Sequence, residues 1–291
     1  MREAMDAIRR RKKPETQASI LRRDFGGVIE VAEIKFIRLL TFLLMVAGQT
    51  ALHAGPPLST GDVPTATRGT LEIYAGQRYQ ENPDGTLGRE TSMELAYGLN
   101  DRLEASFELP CISEESARGW GDVTIGTKYV FKPETAATPG VAGSLKYEVP
   151  SASAARGLGR GAAVWAVRLR MQKTWARLTG MANLGYTVVN EPVISGIKRA
   201  RENPWFVAAA EEYKLSKKTI LVSELYWQTR EKPGAFNRLA YNVGFKQKLA
   251  PNFRIHGAIG GSLRQGDAGG PQLRLFLGFK YELAVRPRPA L

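Results

Sequence analysis

The chain is predicted to fold as an all-β transmembrane protein, an antiparallel up-and-down β-barrel of about twelve strands, because three patterns coincide. Apolar and polar residues alternate with period two through successive runs, the connections between runs alternate between tight and long, and a secretory leader precedes them all. Residues two apart in a strand share a face, so this alternation gives each strand one apolar and one polar surface.

The clearest run lies near the C-terminus, where Leu273, Leu275, Leu277, Phe279, Tyr281 and Leu283 alternate with Gln272, Arg274, Phe276, Gly278, Lys280 and Glu282. Comparable runs hold Leu103, Ala105, Phe107 and Leu109; Val123, Ile125, Thr127, Tyr129 and Phe131; and Leu239, Tyr241, Val243 and Phe245. Strands are expected to begin near Arg68, Arg89, Asp101, Gly121, Gly140, Gly161, Thr174, Pro204, Lys217, Phe236, Asn252 and Pro271. The run 204–214 carries the faintest pattern.

Tight turns are expected at Asn100-Asp101, Gln172-Lys173, Ser216-Lys217 and Ala250-Pro251, with a slightly longer one from Pro133 to Pro139. Longer polar or glycine-rich connections at 81–88, 111–119, 151–160, 190–203, 231–235 and 265–270 sort to the opposite side. Outer-membrane barrels place short turns in the periplasm and long loops outside, and an even strand count puts both ends of the barrel on the short-turn side. Trp175, Tyr186, Trp205, Tyr213, Trp227, Tyr129, Tyr147 and Tyr281 fall toward strand ends, as aromatic girdles at the two membrane interfaces require. A soluble barrel shares the period but buries its apolar face inward, whereas here the opposite face is charged throughout.

Residues 35–54 read as a cleaved signal peptide: Lys35 and Arg38 precede the apolar run Leu39 to Ala47, and small residues lead to a cleavage point after Ala54. That run is shorter than the roughly 20 residues of a membrane-spanning helix. Residues 1–34 form a basic extension consistent with a start site placed upstream of the true one. The mature chain is then divided into a periplasmic segment 55–67, a barrel 68–284 and a tail 285–291, and its expected location is the cell outer membrane.

Composition is that of a folded protein, 43% hydrophobic and 24% charged, which excludes a disordered chain. The formal charge is +13, but ten of the 41 basic and six of the 28 acidic residues precede position 55, leaving +9. Lysine and arginine are dispersed through extended runs instead of gathered into one footprint, so nucleic acid is not an expected partner. A single cysteine, Cys111, excludes an intrachain disulfide and multi-cysteine zinc sites. With His53 in the leader, His256 is the one mature histidine, and no metal or cofactor is expected.

If the apolar residues face lipid, the interior receives Arg102, Glu104, Glu108, Lys128, Lys146, Glu148, Arg168, Arg170, Glu224, Lys246, Arg254, His256, Arg274, Lys280 and Glu282. Unpaired ions in a dry interior cost several kcal/mol each, so this interior is either hydrated or cross-linked by ion pairs. A hydrated interior conducts, and a fully paired one is a plug. About twelve strands fall between the filled eight-stranded barrel and the open sixteen-stranded porin, so size leaves both open. His256, in RIHGAIG, has no serine near it in sequence and is read as a lumen residue; a membrane hydrolase using it is the remote alternative, and no enzyme is expected.

Two stretches resemble the outer-membrane family named for the meta-pathway of phenol degradation. The first is GPPLSTGDVPTATRGTLEIYAG, Gly55 to Gly76, in which Gly61 stands where the family more often has a second acidic residue; the second is GWGDVTIGTKYVF, Gly119 to Phe131. The resemblance covers most of 55–283 and implies a porin-like channel or transporter passing small hydrophobic or aromatic solutes. Outer-membrane lipid and a small-molecule solute are thus the expected partners, with a plugged structural or surface-interaction barrel as the alternative.

Overall fold

The computed structural model describes residues 57–81, 85–113, 118–263 and 270–285. The expected signal peptide and basic extension, Gly55, Pro56 and the tail beyond Val285 lie outside the described residues. In chain order the strands are β1 (Thr70–Glu81), β2 (Leu87–Gly98), β3 (Leu103–Ser113), β4 (Arg118–Trp120), β5 (Val123–Lys132), β6 (Gly140–Val149), β7 (Val164–Trp175), β8 (Leu178–Val189), β9 (Val193–Ile194), β10 (Ile197–Lys198), β11 (Trp205–Lys214), β12 (Thr219–Gln228), β13 (Arg238–Ala250), β14 (Phe253–Ser262) and β15 (Leu273–Ala284). The short β4 prolongs the pairing of β3, and β9 and β10 form a small hairpin within a loop.

The other twelve strands close an antiparallel barrel in which each pairs with its sequence neighbours and β1 pairs with β15. That seam runs from Thr70↔Ala284 to Glu81↔Leu273 without a register shift. Strands of 10 to 13 residues meet the length needed to cross a bilayer at a tilt. No helix among the described residues is long and apolar enough to cross a membrane. Closure satisfies every ladder N–H and C=O within the sheet, the condition for placing backbone in hydrocarbon.

The outer face is apolar: Val167, Leu169, Leu225, Leu275 and Leu277 are exposed, Leu277 by 62%. Aromatic side chains ring both ends of it. Tyr147 and Trp165 (centroids 4.2 Å apart), Tyr186 and Trp205 (4.7 Å) and Trp227 mark the long-loop side, and Tyr129, Phe131, Trp175 and Tyr213 the tight-turn side. These amphipathic rings suit the two bilayer interfaces.

Local chemistry sets the turns. The Asn100 carboxamide oxygen accepts from the N–H groups of Arg102 and Leu103, and the Ser216 hydroxyl accepts from those of Lys218 and Thr219. The turn expected at Gln172-Lys173 is instead Ala176-Arg177, four residues later, because β7 continues through Lys173↔Gly180 and Thr174↔Thr179 to Trp175↔Leu178. Ala176 adopts φ 50°, a left-handed conformation that its side chain does nothing to announce.

A second difference is larger. Residues 57–67, expected in the periplasm, lie inside the barrel, where Leu58, Val63 and Ala66 are buried. Leu58 packs on Met181, Ala210 and Val222, and Val63 on Val130 and Ala142. The physical reason is that side chains of the inner wall bond the N–H groups of Ser59, Thr60, Gly61, Val63 and Ala66 and the carbonyls of Ser59, Gly61, Asp62 and Pro64.

Candidate pore interior

Even-numbered residues of β1 and β2 face inward, as do those of β3, β7, β11 to β13 and β15, so a backbone lying in the lumen meets a wall of ionic and amide groups. The segment 57–67 forms a strap along that wall. The Ser59 and Thr60 N–H groups and the Thr60 hydroxyl donate to the Glu224 carboxylate of β12, each at 2.7 Å. The Gly61 N–H donates to the Asn183 side-chain oxygen of β8 at 2.8 Å, and the Asn183 amide returns a bond to the Gly61 carbonyl at 2.9 Å. Arg168 and Arg170 of β7 donate to the Ser59 and Asp62 carbonyls at 2.8 and 3.2 Å. Lys128 of β5 donates to the Pro64 carbonyl, and the Ala66 N–H donates to Glu104 of β3 at 2.6 Å. A Cβ at Gly61 would lie 2.5 Å from an Arg170 nitrogen, so a side chain there would displace the Arg170 guanidinium.

The remaining inward charges are chiefly paired. Lys146 bridges Glu94 (3.3 Å) and Glu108 (3.1 Å), and Lys128 meets Glu104 and Asp62, both at 3.4 Å. Lys246 binds Glu212 (2.6 Å), Lys280 binds Glu72 (2.7 Å) and Glu282 (3.1 Å), and Arg254 binds Glu282 (3.0 Å). Arg78 binds Glu90 at 2.7 Å. Arg274 donates to the Tyr226 hydroxyl at 2.8 Å, and the Arg168 guanidinium lies 4.1 Å from the centre of the Phe206 ring. His256 is 2% exposed, between Lys246 and Gly278 on the neighbouring strands.

The structure therefore brings the sequence-expected inward residues together, with one correction. Arg102 precedes β3, lies in the Asn100 turn and is exposed, because the strand begins one residue later. Sequence reasoning missed Glu72, Arg78, Glu90, Glu94, Glu212 and Lys248, although the alternation Glu72-Ile73-Tyr74 and the parity of Glu90 with Glu94 carry the same signal.

Near the long-loop end, Asp122 accepts from the N–H groups of Ala152 (2.8 Å) and Arg160 (2.6 Å), folding loop 150–163 inward until Leu158 packs on Ile112. Arg160 then reaches Glu148 at 2.9 Å and also Glu231. Burial works against its guanidinium, but Glu148 and Glu231 hold it above the ordinary arginine range, in its charged form. Open space remains on both sides of the strap: about 220 Å³ by Asp122, Glu148 and Arg160, and about 460 Å³ at the tight-turn end by Leu58, Asp62, Met181 and Lys246. Among the described residues no group of His, Cys, Asp and Glu is arranged to hold a metal ion.

A closed barrel with a lipid-facing apolar belt, two aromatic girdles and a charged interior is an outer-membrane β-barrel of the porin-like class. Solved structures share this fold. The COG4313 outer membrane channel from Pseudomonas putida F1 superposes with a TM-score of 0.62 at 14% identity, covering 78% of this chain and all of that one. The NanC porin gives 0.54 at 13% identity over 73% of this chain and all of its own, and the KdgM porin, solved with disordered oligogalacturonate, 0.51 at 15% over 72% and 98%. No protein-family model and no curated protein matches the chain.

Proposed function

We propose that the protein is a passive outer-membrane channel for small solutes, with the strap 57–67 as its constriction. The observation carrying this reading is that space persists on both sides of the strap within a closed, charge-lined barrel, about 460 Å³ at one end and about 220 Å³ at the other. Solutes would pass between strap and wall, and the ionic lining would set permeability. The resemblance of Gly55 to Gly76 and Gly119 to Phe131 to the meta-pathway family extends the reading to hydrophobic or aromatic solutes. The architecture shared with solved channels and porins supports passage over catalysis.

A second reading, a plugged structural barrel, draws on the extent of ion pairing and on the strap's hydrogen bonds. Single-channel recording in planar bilayers separates the two. The channel reading expects small discrete steps that enlarge when Glu224→Gln and Asn183→Ala loosen the strap; a folded barrel silent in both forms favours the plug.

A further inference from the structure

We propose that the tight-turn chamber is a binding site for small organic carboxylates, solutes with an anionic head and an apolar body. This deepens the channel reading and rests on it for the role of the bound molecule as cargo. The chamber, about 460 Å³, is lined by lysines from two adjacent hairpins: Lys214, Lys217 and Lys218 around the β11–β12 turn, and Lys248 from β13. None of these four takes part in an ion pair among the described residues, in contrast to Lys246 and Lys280 beside them. The two carboxylates lining the chamber are already engaged, Glu212 by Lys246 at 2.6 Å and Asp62 by Lys128 at 3.4 Å.

The mouth of the chamber thus carries positive charge on Lys214, Lys217 and Lys218, exposed at its rim, with the half-buried Lys248 beside them and near Glu282. Beside the lysines lies the half-buried side chain of Ile220, packed against the buried Leu58 and Met181 at the foot of the strap. A bare inorganic anion would use the lysines and leave that surface wetted, and a neutral apolar molecule would leave the lysines unmatched. A carboxylate carried on a ring or short chain meets both. Because three of the four lysines are exposed, attraction is screened by salt and acts as a capture step near the mouth.

The test is calorimetric binding of benzoate, benzyl alcohol and inorganic phosphate to the protein in phosphatidylcholine nanodiscs, with empty nanodiscs as the blank. Benzoate is expected to bind at least about tenfold more tightly than either of the other two, and more weakly as salt is raised. The combined substitution Lys214→Gln, Lys217→Gln, Lys218→Gln and Lys248→Gln is expected to weaken benzoate by about tenfold or more. The turn pair Lys217→Gln and Lys218→Gln, which leaves every strand intact, should show a smaller loss and keeps the test decisive if the fourfold variant fails to fold. Equal affinity for benzyl alcohol or phosphate, or benzoate affinity unchanged in the lysine variants, overturns the proposal. A protein that conducts but does not bind benzoate overturns it while leaving the channel reading in place; one that binds but never conducts sinks the channel reading and leaves the site.

Discussion

Glu224 accepts hydrogen bonds from the Ser59 and Thr60 N–H groups and the Thr60 hydroxyl, and Asn242 donates to the same carboxylate. Glu224→Leu removes all these acceptor sites at once and leaves buried donors facing a side chain that cannot answer them. Bonds to a charged acceptor contribute roughly 1.5–3 kcal/mol each and are not additive, so a loss of about 3–5 kcal/mol is expected. Denaturant unfolding in vesicles measures it, and protease should then cut within residues 57–67; an uncut strap and unchanged stability would contradict the contacts described. Glu134 offers a pH-dependent case outside the strands. Burial, the largest single influence, raises its pKa, but the Thr174 N–H, the Gln172 and Thr174 side chains and Lys173 together outweigh it and hold the group below its ordinary 4.5. A depressed folded-state pKa contributes stability above the unfolded value that is lost as pH falls through the folded one. The protection of the Thr174 amide, relative to its intrinsic exchange rate at each pH, should therefore fall on acidification below about 4.5, and Glu134→Gln should abolish that acid step.

At the scale of elements, the strands were legible and some of their ends were not. Period two located all twelve barrel strands, including β11, whose pattern was the faintest, because the outer face of every strand must be apolar where it meets lipid. The β7–β8 turn was misplaced because Ala176-Arg177 contains neither glycine nor asparagine, the residues by which left-handed backbone is normally recognised. Ala176 at φ 50° carries a steric cost that glycine would not, so Ala176→Gly is expected to stabilise the hairpin by up to about 1 kcal/mol, read from the unfolding midpoint. The strap escaped the sequence reading for another reason. It binds the wall chiefly through its own backbone, and peptide groups are the same in every sequence, so only the buried Leu58, Val63 and Ala66 distinguish it from a solvated linker.

At the scale of the molecule, the wall has two solvents, hydrocarbon outside and water with counter-charges inside. Leu277, outward-facing and 62% exposed near the middle of β15, tests the first: Leu277→Arg is expected to cost about 2–4 kcal/mol of folding stability in bilayers. A negligible cost would mean that the face does not meet lipid. The inner side was legible only in outline, since parity says which charges point inward but not whether they meet each other or water. The strap carries a mechanical consequence. A ring of strands joined by one continuous hydrogen-bonded circuit can flatten into an ellipse without breaking a bond, so its circumference is fixed while its cross-section is not. Residues 57–67 moor β3, β5, β7, β8 and β12 to one another through the interior, much as a tie rod holds the ribs of a vault. Lateral pressure from a stiff or thickened bilayer would then be resisted by the tether before it distorts the outline. Ovality of this barrel becomes a property of eleven residues that never touch the lipid.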